Sequence, residues 1–456
     1  VNDLQTGVSA ITGTPVLQEW RYLSMSWSRR FSADVLSLKK ERVNHVLRAM
    51  RHRNYRIFFC GEIISLTGLW MQRVAMGWLV YRLTDSAFML GAVEFAGQLP
   101  VFLFGIFTGV LLESMDLKRI IFICQVLSML HAFILAVLTL SGYVEYWHII
   151  ILSAVLGMVN AFEIPARQAF VVHLVEDGDD LGNAIALNSS LFNTARLVGP
   201  SIGGVAIAAF GEGICFIMNG FSYFATLVAL ILMKLKDCRR NFGENGSFLL
   251  NLREGFNYIK GFSPIRNTLL TLAVISFAGI PYLVLLPVFA RNILEGGPDT
   301  LGFLTASSGF GALLGSVRLA LAKKPMGMNR TMAFSVTFFG FFIGVFSFSH
   351  SVPLSMILMV FTGFFLVSSL VSCNTYIQSL VDHDKRSRVM SFYIFSILGI
   401  APLGSLVCGS LASIIGAPAT FVVGGAACMV SGIYLLRKTR NMSRVAEPVF
   451  RNKGYL

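Results

Sequence analysis

Charge is what this sequence has least of. Asp, Glu, Lys and Arg together make up 13% of its 456 residues, where a soluble domain carries roughly 25%. Water does not solvate so apolar a surface, which excludes the roughly two or three soluble domains that length alone would suggest. Cysteine is sparse and odd in number, and no Cys-x-x-Cys pair occurs. Of Cys60, Cys124, Cys215, Cys238, Cys373, Cys408 and Cys428, all but Cys238 fall in apolar stretches. They read as small apolar residues, which excludes a disulfide frame and a thiolate metal site. There is no His-Glu-x-x-His pair and no Gly-x-Ser-x-Gly turn, so no catalytic residue, metal ligand or cofactor is assigned and an intramembrane enzyme is disfavoured. A primary pump would need a phosphate-cradling loop ending Gly-Lys-Ser/Thr, and none is present. The first residues are polar, so no cleavable signal peptide is expected.

Apolar residues fill the space that charge leaves. Hydrophobic residues are 55% of the chain, with 39 Phe and 42 Gly, and the mean hydropathy is +0.69. Glycine lets spanning helices approach closely. Windows long enough to cross a ~30 Å hydrocarbon core fall near 57–83, 87–112, 120–140, 147–173, 183–210, 213–233, 267–290, 301–320, 331–349, 352–377, 389–415 and 417–436. The fold class expected is therefore an all-α membrane protein with about twelve transmembrane helices.

The net charge of +13 could suggest nucleic acid, but its placement argues against that partner and for the lipid bilayer. Alternate connections hold the Lys and Arg: 10 in 1–56, 2 in 113–119, 7 in 234–266, 3 in 321–330, 3 in 378–388 and 6 in 436–456. The opposite connections hold only Arg82 and Arg291. By the positive-inside rule both termini are expected in the cytoplasm of a bacterial inner membrane, which requires an even number of spans.

The basic connection 234–266 splits the windows six and six. The expected organisation is a cytoplasmic extension 1–56, a six-helix bundle 57–233, a cytoplasmic linker 234–266, a second six-helix bundle 267–436 and a cytoplasmic tail 437–456. The halves echo each other. Leu174-Val175, an acidic run, Gly199-Pro200-Ser201-Ile202-Gly203, Gly211 and Phe216 are followed, in the same order, by Leu380-Val381, Asp382 and Asp384, Ala401-Pro402-Leu403-Gly404, Gly416 and Phe421. In the extension, Val35, Leu36, Val43, Val46, Leu47 and Met50 keep helical spacing among Lys39, Lys40, Arg42 and Arg48. That pattern reads as a basic amphipathic helix on an anionic leaflet; residues 1–18 read as a disordered tail.

Ionisable residues inside the windows concentrate in the first half: Glu62, Arg73, Glu94, His131, Glu163, Arg167 and Arg196. The second half has only Arg318. Such groups cost ~3 kcal/mol or more each at this depth, so they pair or face water. Counting ~1.5 Å per residue puts Arg73 level with Glu94 and Glu62 level with Arg167. Glu163 and Arg167, four residues apart, share a helical face. Arg196 falls near midplane. These residues are candidates for proton coupling and for lining a substrate cavity, since desolvation favours the protonated form of a carboxylate and a nearby Arg opposes it. Static ion pairs that fix helix packing are the competing reading. His131 reads as a packed neutral histidine.

Several stretches resemble the major facilitator branch that contains the bacterial enterobactin exporter and macrolide efflux proteins. They are Arg53-Asn54-Tyr55-Arg56-Ile57-Phe58-Phe59, Ser65-Leu66-Thr67-Gly68, Trp70-Met71-Gln72, Trp78-Leu79-Val80-Tyr81-Arg82-Leu83-Thr84, Pro165-Ala166-Arg167-Gln168-Ala169-Phe170, Asn183-Ala184-Ile185-Ala186-Leu187-Asn188, Ala195-Arg196-Leu197-Val198-Gly199-Pro200 and Arg388-Val389-Met390-Ser391. The likeness covers roughly 50–440. It implies the major facilitator fold, with a central site between parallel halves, and a secondary transporter that exports a small amphipathic molecule, siderophore-like or drug-like, against proton entry. An importer or uniporter, or a non-transporting membrane receptor or assembly protein, stays open beside it. Oligomeric state is not legible.

Two motifs of that branch carry mechanism. Its loop between the second and third helices usually reads Gly-x-Leu-x-Asp-Arg, then a basic pair. Here it is Gly109-Val110-Leu111-Leu112-Glu113-Ser114, then Asp116, Lys118 and Arg119. The resemblance implies an inner gate in which the carboxylate caps a helix of the other half or pairs with Arg; Ser114 in place of Arg removes one charge link. On the fifth helix, Gly199, Pro200, Gly203 and Gly204, preceded by Ala186 and Ala195, match the tail of the antiporter motif. Pro bends a helix there and Gly admits a close neighbour.

Overall fold

The computed structural model describes residues 48–112, 115–175, 178–233, 248–320, 327–382 and 385–453, and every regular element among them is helical. This suits a chain in lipid, where only a helix satisfies its own backbone groups. The first half comprises α1 (Arg53–Thr84), α2 (Ala87–Leu111), α3 (Leu117–Leu140), α4 (Tyr146–His173), α5 (Gly178–Phe210) and α6 (Glu212–Leu232). A linker helix α7 (Phe248–Gly261) follows. The second half comprises α8 (Ser263–Ile293), α9 (Pro298–Ala320), α10 (Met328–Phe346), α11 (Val352–Leu380), α12 (Arg388–Ile415) and α13 (Ala417–Asn452). The amphipathic stretch expected over 35–50 lies outside the described residues except for its last turn, and Glu113 and Ser114 lie outside them too.

Eleven of these helices are long and apolar enough to cross a membrane. The twelfth spanning helix is α5. Asp180, Asn188, Asn193 and Arg196 dilute its hydropathy, yet at 33 residues it is ~50 Å long. Large side chains face outward throughout, with Ile414 at 80% and Ile231 at 67% exposure. Lipid, being as apolar as they are, receives them.

The echo between halves has a structural counterpart. Gly211, between α5 and α6, and Gly416, between α12 and α13, both adopt positive φ, 81° and 84°. A side chain rarely tolerates that conformation. Phe216 and Phe421, a few residues on, are both buried. The spanning pieces α8 and α12 are irregular: π turns occur at Ile275–Gly279, Phe289–Ile293 and Phe395–Gly399. The Ser276 hydroxyl donates to the Ile397 carbonyl at 2.5 Å, tying one π turn to another. Helix α13 runs past the expected end of its span. Met442, Ala446 and Phe450 are buried against the foot of α11, and Lys453 Nζ donates to the carbonyls of Ser379 (3.2 Å) and Val381 (2.8 Å).

How the cores are distributed decides the shape. At the end where α1 finishes, one continuous apolar core spans both halves and includes Leu79, Leu90, Phe216, Phe289, Phe346 and Phe421. At the end where α1 begins, the basic end, there are two cores. One holds Tyr55, Phe58, Leu117 and Phe170 of the first half; the other holds Ile265, Met332, Tyr376 and Leu435 of the second. Bonds between the halves follow the same division. Phe88 N donates to Ser413 Oγ (3.1 Å), and Asn292 Nδ2 to the Tyr81 hydroxyl (2.6 Å), both at the far end. Among the described residues, every ion pair at the basic end stays within one half. Among the described residues, the halves share one apolar core at the far end and hold separate cores at the basic end, although the Phe102 and Phe395 rings still meet across the halves with centroids 5.5 Å apart.

Candidate functional site

In the basic half of the membrane, α1, α3 and α4 bring two carboxylates and one guanidinium together. Arg167 Nη1 lies 2.5 Å from Glu62 Oε1. Its Nη2 bonds Glu163 Oε1, one helical turn earlier on α4. Gln125 of α3 donates to the same Glu163 oxygen at 2.9 Å. Glu62 is 1% exposed and Glu163 3%. One cation faces two anions, so the ionised cluster carries a formal charge of −1 away from water. Breaking a buried pair is costly, whereas taking up one proton makes this cluster neutral without breaking it. Arg167 therefore joins Glu62 with Glu163, as their depth and spacing suggest.

Arg73 and Glu94 share a depth but form no ion pair, contrary to the depth argument. Helix rise fixes height and says nothing of azimuth. The Glu94 carboxylate instead accepts from Gln98, on its own helix. Arg73 Cζ lies 5.1 Å from the Trp70 ring centroid, and Arg196 Cζ, from α5, lies 5.7 Å from the same centroid. His131 is buried beside the Leu152 carbonyl, a packed position.

The α5 motif is a packing device on two sides. A Cβ on Gly199 would meet Trp70 Cβ at 2.6 Å, and one on Gly203 would meet Met71 at 3.0 Å. Both hold α5 against α1. Gly204 faces the other half, where a Cβ would come within 2.8 Å of Gly302 on α9. Pro200 exposes its carbonyl at the same crossing, 2.6 Å from a Cβ placed on Gly302. Pro200 and Gly204 therefore form part of the joint at which the halves meet, while Gly199 and Gly203 pack α5 within the first half.

Of the described residues of the loop motif, Asp116 and Lys118 are engaged within the first half. Gly109 lies in the last turns of α2. Asp116 caps α3, accepting from Lys118 N at 3.0 Å. Lys118 Nζ reaches the Met233 carbonyl at the foot of α6, 2.9 Å away. Arg119 is exposed. Among the described residues, no bond from Asp116 or Lys118 crosses to the second half.

The family model of transmembrane secretion effectors matches residues 45–448. The chain belongs to that family, within the major facilitator superfamily. The chain is 26% identical to the staphyloferrin A transporter of Staphylococcus aureus (strain NCTC 8325 / PS 47), over 84% of this chain and 96% of that one. It is 25% identical to the multidrug efflux pump Tap of Mycolicibacterium fortuitum, over 82% and 93%. Among solved structures, the nucleoside transporter NupG superposes with a TM-score of 0.63 at 12% identity, covering 84% of this chain and 98% of that one. A bacterial homologue of the human lysosomal transporter Spinster, solved inward-facing and unoccupied, gives 0.61 at 14% identity, covering 89% and 98%. The fold is shared with both. The chain is thus a multi-pass membrane transporter of that family and not an enzyme.

Sequence reasoning missed three contributors to the site. Gln125 completes the carboxylate cluster; Trp70 lies under both unpaired arginines; Tyr282 brings a hydroxyl from the second half, 2.8 Å from Ser308 Oγ. Neutral residues in apolar helices carry no charge signal, and none of the three stands at helical spacing from its partners on other helices. Trp70 alone had a cue, lying three residues from Arg73 on the same helical face.

Proposed function

We propose that this chain is a secondary transporter that exports a small amphipathic molecule in exchange for protons by alternating access, and that the conformation described is open to the cytoplasm. The single observation that carries this reading is the division of the core, continuous at the far end and split in two at the basic end. A pathway between two halves that part at one end only is what alternating access requires. The Lys and Arg asymmetry puts the parted end in the cytoplasm together with both termini, in a bacterial inner membrane. The Glu62–Arg167–Glu163 cluster lies in the half of the membrane that parts, and one proton neutralises it. Glu94 is a further candidate. The efflux relatives support the outward direction.

The test uses purified protein in proteoliposomes, a pH gradient, and a panel of labelled amphipathic anions, neutral molecules and cations. At least one is expected to accumulate uphill only while the gradient stands. Glu62→Gln or Glu163→Gln should abolish uphill accumulation and spare downhill exchange. Full uphill activity in all three single variants, Glu62→Gln, Glu94→Gln and Glu163→Gln, would overturn the coupling scheme. Accumulation indifferent to the gradient would favour a uniporter. A periplasm-only reporter fused to Leu456 should stay silent if the terminus is cytoplasmic.

A further inference from the structure

We propose that Trp70, Arg73 and Arg196 form the subsite that receives the anionic group, a carboxylate, of an amphipathic substrate; the word substrate rests on the transporter reading above. Arg73 and Arg196 lie far from the ends of α1 and α5, within electrostatic reach of one another. Among the described residues, neither has a carboxylate within ion-pair distance, while Arg48, Arg82, Arg167, Arg291 and Arg388 each have one. Unpaired cations at membrane depth are expensive and face a water-filled cavity or the bundle interior. The Trp70 ring faces both guanidinium groups, yet an aromatic quadrupole compensates only part of the charge. A bound anion would compensate the rest. Guanidinium is the side chain best shaped to hold a carboxylate, through paired N–H donors.

The surroundings specify more than charge. Trp70 Nε1 is buried with no acceptor, a third donor at the same place. Phe192 packs edge-on against Trp70, with centroids 5.6 Å apart, and gives the subsite an apolar wall. The Arg196 carbonyl lies at the joint of the halves, 3.0 Å from where a Cβ on Gly309 of α9 would stand. Tyr282 of α8 is also within electrostatic reach of Arg196. Donors from α1 and α5 thus lie beside the joint, with a second-half hydroxyl, bonded to Ser308 at 2.8 Å, within electrostatic reach of Arg196. An anion held there would sit beside the joint of the halves, and a ligand must make differential contacts to bias a conformational equilibrium. A cationic molecule finds no matching charge at this place.

The experiment is equilibrium dialysis with full-length protein in nanodiscs of phosphatidylcholine alone, so that no anionic headgroup competes. The probes are 1-naphthaleneacetate and its neutral isostere 1-naphthaleneacetamide. The wild type should prefer the acid. Arg73→Gln and Arg196→Gln should each weaken the acid about tenfold, ~1.4 kcal/mol, and leave the amide within about twofold. Arg196→Lys, which keeps a cation, should retain a preference for the acid. Equal affinity for the two probes in the wild type, no saturable binding of the acid, or an acid affinity untouched in both Gln variants would each overturn the proposal. If both variants lose the amide along with the acid, the arginines hold the fold rather than an anion, and the proposal fails. Flux of the same probes in proteoliposomes separates the two readings. Acid-selective binding without any flux would sink the transporter reading and leave the subsite; flux that ignores charge would do the reverse.

Discussion

The two halves share a fold and divide the chemistry. Each holds six spanning helices, and each makes its last turn at a glycine with positive φ. Among the described residues within the membrane, the first half carries Glu62, Arg73, Glu94, Glu163, Arg167 and Arg196, while the second carries Arg318, near the basic end of α9 and 5.8 Å from the Phe364 ring. Buried hydroxyls occur in the first half, at Ser65, Ser128 and Thr226, and also in the second, at Ser308, Thr362, Ser368, Ser369 and Ser372. The second half also has a stack of rings: Phe342 with Phe361 at 4.8 Å and with Phe365 at 5.5 Å, and Phe338 with Phe365 at 5.3 Å. Architecture is thus common to the halves and ionisation is not.

If that division is right, substitutions should separate by half and by mechanism. The largest effect is expected in the first half. Arg167→Leu would leave Glu62 and Glu163 buried without a cation, a loss of about 3–5 kcal/mol. Thermal unfolding in detergent should show it, and adding Glu62→Gln with Glu163→Gln should restore most of the stability without restoring uphill transport. A single variant as stable as wild type would mean that the cluster is not held by charge.

The next effect falls at the joint. Gly302→Leu places a side chain where Pro200 O and Gly204 stand 2.6 and 2.7 Å from a Cβ. Overpacking of this kind costs about 1–3 kcal/mol, and the cost falls on the conformation closed at the far end. Cysteine labelling at Ser405, beside the other close crossing at Gly91, should accelerate from the far side in the Gly302→Leu variant. Unchanged labelling would say that α5 and α9 do not set the equilibrium.

In the second half the expected losses are smaller and structural. Phe342→Ala removes ring stacking worth about 0.5–1.5 kcal/mol, with little hydrophobic term because lipid replaces the lost neighbours. Unfolding should shift while gradient-driven accumulation by folded protein stays intact; lost coupling would break the division of labour. Smallest of all is the exposed pair Arg451–Glu447 on α13, at 3.4 Å. Glu447→Gln should change stability by no more than about 0.5 kcal/mol, against several for the buried cluster.

The fold was legible because lipid imposes simple rules. Apolar windows and alternating basic connections mark the spans, and α5 was found from its window although Arg196 and its Asn residues dilute it. The echo of Gly211 and Gly416 was readable because a positive-φ turn selects for glycine. The candidate site was readable in part. Glu163 and Arg167 lie on one helix, so spacing joined them, and Glu62 came to Arg167 by depth. Arg73 and Glu94 did not meet, because their rotation about the helix axes depends on packing that no single helix encodes. The split of the core was beyond the sequence altogether. A chain that visits more than one conformation carries the contacts of each, and a residue string does not say which set is made.

In the proposed cycle the halves part at the basic end under the control of the first half's carboxylate cluster. Electron–electron distance measurement on two spin-labelled pairs in a Cys-free background tests it without a substrate. One pair, Arg119→Cys with Arg330→Cys, joins exposed positions at the basic end; the other, Tyr143→Cys with His350→Cys, joins exposed positions at the far end. Acidification should shift the two distance distributions in opposite senses in otherwise wild-type protein, one end closing as the other opens. Adding Glu62→Gln and Glu163→Gln should abolish the response at both ends. Distances that move in the same sense, or a pH response that survives the double substitution, would contradict the account.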